Sequence, residues 1–151
     1  MTSSPYSTEE VLDNFDALLR DAVFPKELHL LGVGRFSFLR RRQMLLELRA
    51  LYIGLWHLAL MRSFPTAYQE IFDAFLARYA KRHPDKDSAR LLTRSIEYID
   101  MLQHKGDKNF MEVSRHLASF LQLDEDAAKT LALRLALALR TSYTFIFNRL
   151  I

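Results

Sequence analysis

The chain has no cysteine in its 151 residues, which removes disulfides, thiolate metal sites and cysteine nucleophiles in one step. That absence suits a reducing compartment. Glycine and proline are also scarce, at four each, so few positions can break a helix. The β-branched apolar residues Val and Ile number 10 together, against 27 Leu and 15 Ala. Straight-chain apolar side chains lose little rotamer freedom in a helix, whereas β-branched ones favour strands. No apolar run is both long and clean: Met44 to Met61 is broken by Glu47, Arg49 and His57, too interrupted for a span of about 20 residues. The start, Met1 to Tyr6, is polar and followed by Glu9 and Glu10, which is not the pattern of a signal peptide. The expectation is a soluble, cytoplasmic protein.

What is present is material for a core. The composition is 50 % hydrophobic, with 11 Phe, 6 Tyr and one Trp, far from the polar, highly charged corner where chains stay disordered. A domain of this length buries about 68–70 % of its unfolded surface. The expected fold class is all-α: a flexible N-terminus over 1–6, then a single helical domain over 7–151. It should be a bundle of about six helices, two of them long and buried on several sides, approximately 36–62 and 124–149.

Local signals place the helices. Ser7 and Glu10 form a capping box ahead of Val11, Phe15, Leu18, Leu19 and Ala22, which recur at helical spacing. Pro25 ends that helix, and Ala22 to Gly34 reads as a connector whose apolar residues pack onto the core. The second helix is apolar nearly all round between Met44 and Met61, the mark of a helix buried on several sides. A third begins near Ser63 or Thr66, with Pro65 in its first turn and a core stripe of Tyr68, Ile71, Phe72, Phe75, Leu76 and Tyr79. The fourth covers Asp87 to Gln103, with Leu91, Leu92, Ser95, Ile96, Ile99 and Leu102 inward. Gly106 stops it, and Asp107 or Asn109 is placed to cap a fifth helix that carries Phe110, Val113, Leu117, Phe120 and Leu121. Asp124 caps the sixth, which runs on towards the C-terminus.

Within the sixth helix every odd residue from Leu131 to Leu139 is Leu, a period of two that reads formally as a strand. The even positions are Ala, Arg, Ala and Ala, all strong helix formers, and no turn signal interrupts the run. On a helix Leu131, Leu135 and Leu139 share one face, and Leu133 and Leu137 lie opposite. A helix with two Leu faces is sandwiched between layers or between subunits.

Charge is unevenly placed. Residues 1–34 hold six acids against two bases, a balance of −4, and residues 35–62 hold six Arg against one Glu, a balance of +5. Arg35, Arg40, Arg41 and Arg42 crowd the start of the second helix, where cations sit poorly unless something negative neutralises them. The neutralising group is either the acids of the first helix or an external anion. The Gly32–Gly34 pair ahead of this helix is no dinucleotide fingerprint, since no strand precedes it and no third glycine follows. Nucleic acid is disfavoured as a partner: the basic stretch is short, and Asp124 to Asp126 would place negative charge at the start of any recognition helix.

Catalytic constellations are not legible. The i,i+3 pairs Glu70/Asp73 and Glu97/Asp100, with His104 and the Glu112/His116 pair, hold a metal only if their stripes face each other inside the bundle. As solvent borders of apolar stripes they hold none. His57 beside Trp56 reads as a core histidine bonded to backbone, and an apolar pocket would be lined by Tyr52, Trp56, His57, Phe72 and Phe75. Glu47, on the buried helix, needs a partner, either Arg134 or another arginine across the core. No cofactor and no metal site is expected. The favoured expectation is a non-enzymatic protein–protein interaction or scaffold module, a homodimer or a binder of another protein. The alternatives are a ligand-binding or sensory domain using the apolar pocket, and a metal-dependent enzyme using the carboxylate and histidine stripes.

Overall fold

Ser7 opens the first helix as its capping signal requires: its hydroxyl accepts from the Glu10 backbone N–H at 3.1 Å. A computed structural model describes residues 6–32, 38–104 and 110–151. Among them the chain forms α1 (Thr8–Asp21), α2 (Pro25–Leu30), α3 (Phe38–Ser63), α4 (Tyr68–Arg82), α5 (Lys86–His104), α6 (Met111–Ser119) and α7 (Glu125–Phe147). No described residue lies in a strand. The expected all-α class holds, and the one added element is α2, a short helix within the stretch 22–34. Pro25 starts it rather than merely ending α1, because proline is preorganised for the first helical position. The expected flexible start and the expected caps Asp107 and Asn109 fall largely or wholly outside the described residues. The observed N-cap of α6 is Phe110, in the left-handed region at φ 57°.

α3 is the axis of the fold. It packs along α5 and also meets α1, α2, α4 and α7, while α6 lies against α7 and α5. Its most apolar 18-residue window is long and hydrophobic enough to cross a membrane by composition, despite Glu47, Arg49 and His57, but 78 % of it is buried inside the bundle. Close approach of α5 depends on Gly54. A Cβ there would lie 3.3 Å from both Leu102 Cδ1 and Tyr98 Cβ, tighter than ordinary side-chain contact, so the absent side chain lets the two helices meet.

Two details of the inward faces differ from expectation. On α5, Ile96 is exposed and Tyr98 is fully buried, because the Tyr98 hydroxyl has an acceptor on α3. α4 begins at Tyr68, later than Ser63 or Thr66, since residues 65–67 form a turn. Asp124 caps α7 as expected, accepting from the Ala127 N–H at 2.8 Å, and its neighbours Glu125 and Asp126 complement the helix dipole.

Candidate functional site

Four sets of residues compete for the role of site. The basic cluster at the start of α3 does not converge on one point. Arg40 donates to the Phe120 carbonyl at the C-cap of α6, where a cation complements the helix dipole. Arg42 pairs with Asp87 in the first turn of α5. Arg41 is exposed, and Arg35 lies outside the described residues. The acids of α1 do not serve this cluster: Asp13 and Asp16 bind Arg78 of α4, the former at 2.6 Å, and Asp16 also meets Arg82 at 3.2 Å. Two of the acids of α1, Asp13 and Asp16, are thus met by α4.

The aromatic residues proposed to line a pocket are neighbours, but they fill their own space. Phe15 of α1 stacks on Trp56 with ring centroids 4.2 Å apart and planes 3° from parallel, and Phe75 meets Trp56 edge-on at 5.0 Å. Trp56, Phe72 and Phe75 are buried in this packing. Of the five residues, Tyr52 borders surface cavities between α2 and α7. His57 is buried as expected, but among the described residues no backbone group is hydrogen-bonded to its ring. It stands perpendicular to the rings of Tyr68 and Phe72, at 5.7 and 4.7 Å.

The most connected polar group is Glu47. Arg94 of α5 grips it from Nε (2.9 Å to Oε1) and from Nη2 (3.0 Å to Oε2), and the Tyr98 hydroxyl donates to Oε2 at 2.9 Å. The expected buried pair exists, with Arg94 as its arginine; Arg134 is on the surface of α7. Arg94 also binds Glu97, and its Nη2 lies 3.2 Å from His116 Nε2. A guanidinium only donates, so Nε2 accepts and His116 is neutral with its proton on Nδ1. Glu47, Arg94, Tyr98 and His116 are bonded to one another, so the cluster clamps α3, α5 and α6 together.

The buried imidazole of His57 and the half-buried one of His116 give a pH signature. Burial lowers the pKa of His57, and burial followed by the Arg94 charge lowers that of His116, both from an ordinary 6.5. The unfolded chain then binds more protons than the folded one below that value. Stability from this source is complete above about pH 6.5 and is lost as the pH falls towards the depressed folded-state values. The melting temperature at pH 5 should therefore lie below that at pH 7.5, and a His57→Gln/His116→Gln variant should flatten the slope. An unchanged slope in the double variant would assign the acid loss to other groups.

The last set is the outer face of α7. Leu131, Leu135 and Leu139 are buried against the bundle, while Leu133 and Leu137 are each 56 % exposed. This is the two-faced arrangement that the alternating Leu pattern implies on a helix. Exposed apolar residues continue at both ends, with Leu123 before α7 and Phe147 at its end. Of the carboxylate and histidine stripes, Glu97 and His116 meet at Arg94, and among the described residues no group of three or more His, Asp or Glu side chains is placed to hold a metal ion. Comparison with protein-family models, with curated proteins and with solved structures finds no match to this chain.

Proposed function

We propose that the protein works by protein–protein contact, as a homodimer whose copies meet along the outer face of α7. The observation that carries this reading is the pair Leu133 and Leu137, held on the surface of a long regular helix whose opposite Leu face is fully used by the core. Isolated surface leucines are ordinary, so the occupant is argued from complementarity. An antiparallel pairing with its two-fold axis level with Leu135 sets Leu133 against Leu137 of the partner subunit. The same register sets Leu123 against Phe147 of the partner subunit, so every exposed apolar residue on this line finds an apolar neighbour.

Charge agrees with that register. The first turn of α7 carries only acids and the rest of it only Lys and Arg. Antiparallel pairing lays acidic end over basic end and opposes the two helix dipoles favourably. Arg140 faces Thr130 of the partner subunit, and Asp126 of the partner subunit lies one turn away, about 6 Å along the axis. That is within reach of an arginine side chain. A parallel pairing would stack like charges instead. The lack of cysteine suits such an assembly to the reducing cytoplasm.

Sedimentation equilibrium tests the proposal. The unmodified chain should be dimeric at micromolar concentration, and Leu133→Glu/Leu137→Glu should be monomeric with an unchanged helical circular dichroism spectrum. Charge reversal at Arg140→Glu should weaken the dimer, with partial recovery in Arg140→Glu/Asp126→Arg. A monomeric unmodified chain at about 100 μM, where an interaction weaker than about −5.5 kcal/mol would be needed to escape detection, would overturn it.

A further inference from the structure

A second feature of the molecule is independent of the α7 outer face. Glu27, in the first turn of α2, is only 5 % exposed, yet among the described residues no Lys, Arg or His lies within ion-pair distance of it. Its one hydrogen bond is from the Ser142 hydroxyl of α7 to Oε1, at 3.1 Å. No buried side-chain oxygen or nitrogen in the described structure lacks a partner. Among the described residues Oε2 has none, so it is not fully enclosed. Glu27 lines a cavity of about 350 Å³ between α1, α2, α3 and α7, walled also by Leu18, Phe24, Tyr52 and Phe145. The charged residues of that lining are Asp21 and Glu27, with no base among them. A second cavity of about 330 Å³ shares Pro25, Glu27, Tyr52, Ser142 and Phe145 with the first.

A buried carboxylate is costly without a countercharge. Glu47 has Arg94; Glu27 has a neutral hydroxyl. Arg149 does not fill the role, because it stacks 3.6 Å over the Phe145 ring and donates to the Phe145 carbonyl at 3.2 Å. The wall next to Glu27 is also strained. Phe24 holds φ 51° and ψ 49°, the left-handed region that a bulky side chain rarely adopts, and its ring meets Tyr52 edge-on at 5.4 Å. Such strain concentrates at ligand clamps.

We propose that this cavity is a binding site for a small organic ammonium ion with an apolar body. The ammonium hydrogen-bonds Glu27 and supplies its missing countercharge, and the rings of Tyr52 and Phe145 pack on the apolar part. Tyr52 serves as a neutral phenol, since burial raises its pKa above the ordinary 10.0. A ligand of this kind fits the usual form of small-molecule sites, a mostly apolar concavity with a few placed polar groups. Ala138, Ser142 and Phe145 lie on a different side of α7 from Leu133 and Leu137 at 3.6 residues per turn. The site therefore stays open whether or not the chain dimerises.

The experiment is a ¹H–¹⁵N NMR titration of the full chain with 2-phenylethylammonium chloride, paralleled by 2-phenylethanol, which has nearly the same shape and no charge. Saturable shifts are expected at the amides of Phe24, Glu27, Tyr52, Ser142 and Phe145, with the alcohol at least about tenfold weaker. Glu27→Gln keeps a polar partner for Ser142 and should bring the ammonium down to the affinity of the alcohol. Phe145→Ala should weaken both probes. Equal affinity for the two probes on the unmodified chain would overturn the proposal without recourse to any variant. So would undiminished binding to Glu27→Gln, or the absence of saturable shifts at these residues up to about 10 mM, the concentration where affinity falls below roughly −3 kcal/mol.

Discussion

Replacing Arg94 by Met is expected to destabilise the protein by roughly 3–5 kcal/mol, the usual loss when one partner of a buried ion pair is removed. For a chain of this length that is a fall in melting temperature of roughly 6–20 °C. The reason is asymmetric burial. The Glu47 side chain is 6 % exposed and the Arg94 side chain 20 %, and without the guanidinium the carboxylate retains only the Tyr98 hydroxyl. The reverse change, Glu47→Gln, should cost less. Arg94 keeps Glu97 and some contact with water, and the Gln carbonyl still accepts from Tyr98. Glu47→Leu/Arg94→Met removes both charges and should recover much of the loss, since buried pairs are often replaceable by apolar side chains of similar volume. Urea melts at one fixed protein concentration, chosen because self-association would couple stability to concentration, separate these cases. Equal losses for Arg94→Met and Glu47→Gln, or a loss below about 1 kcal/mol for the former, would show that water reaches Glu47 and that the clamp carries no net stabilisation.

This network also marks where reading from sequence alone stops. Caps are local: Ser7 and Asp124 act on backbone groups three residues away, so their roles were legible without knowing what surrounds them. The two Leu faces of α7 were legible for the same reason, because helical periodicity places Leu133 and Leu137 opposite Leu135 whatever α7 packs against. The partner of Glu47 was not. Arg134 and Arg94 are equally arginine in the sequence, and only the side-by-side packing of α3 and α5, which Gly54 permits, brings Arg94 within reach. Tyr98 and Ile96 exchanged their expected faces through the same contact, since a tyrosine goes inward where its hydroxyl finds an acceptor. Glu27 gave no signal at all. It sits in a stretch that reads as a connector, and its burial exists only once α2 is covered by Ser142, a residue 115 positions away. The rings around Trp56 are neighbours, but periodicity reports which side chains face inward and not whether they leave space between them.

Phe15→Ala is expected to cost roughly 3–5 kcal/mol, the range for deleting a buried aromatic ring. Phe15 is 1 % exposed and contacts three rings: it stacks on Trp56, lies 6.1 Å from Tyr52, and meets Phe75 edge-on at 5.4 Å. α1 is also held by the pairs from Asp13 and Asp16 to Arg78, so it should stay docked while the ring is missing, and the site should become an apolar void. Such voids remain dry. Trp56 is the only tryptophan, which makes its fluorescence a local probe: the emission maximum should keep its buried position while stability falls. Phe15→Leu refills part of the void and should lose distinctly less. A red-shifted emission in Phe15→Ala would mean that α1 lifts away and water enters, placing the hold on α1 in this one ring. A loss below about 1 kcal/mol with no spectral change would mean that the neighbouring rings collapse into the gap, which the tilted and stacked packing around Trp56 argues against, since each ring there already bears on another.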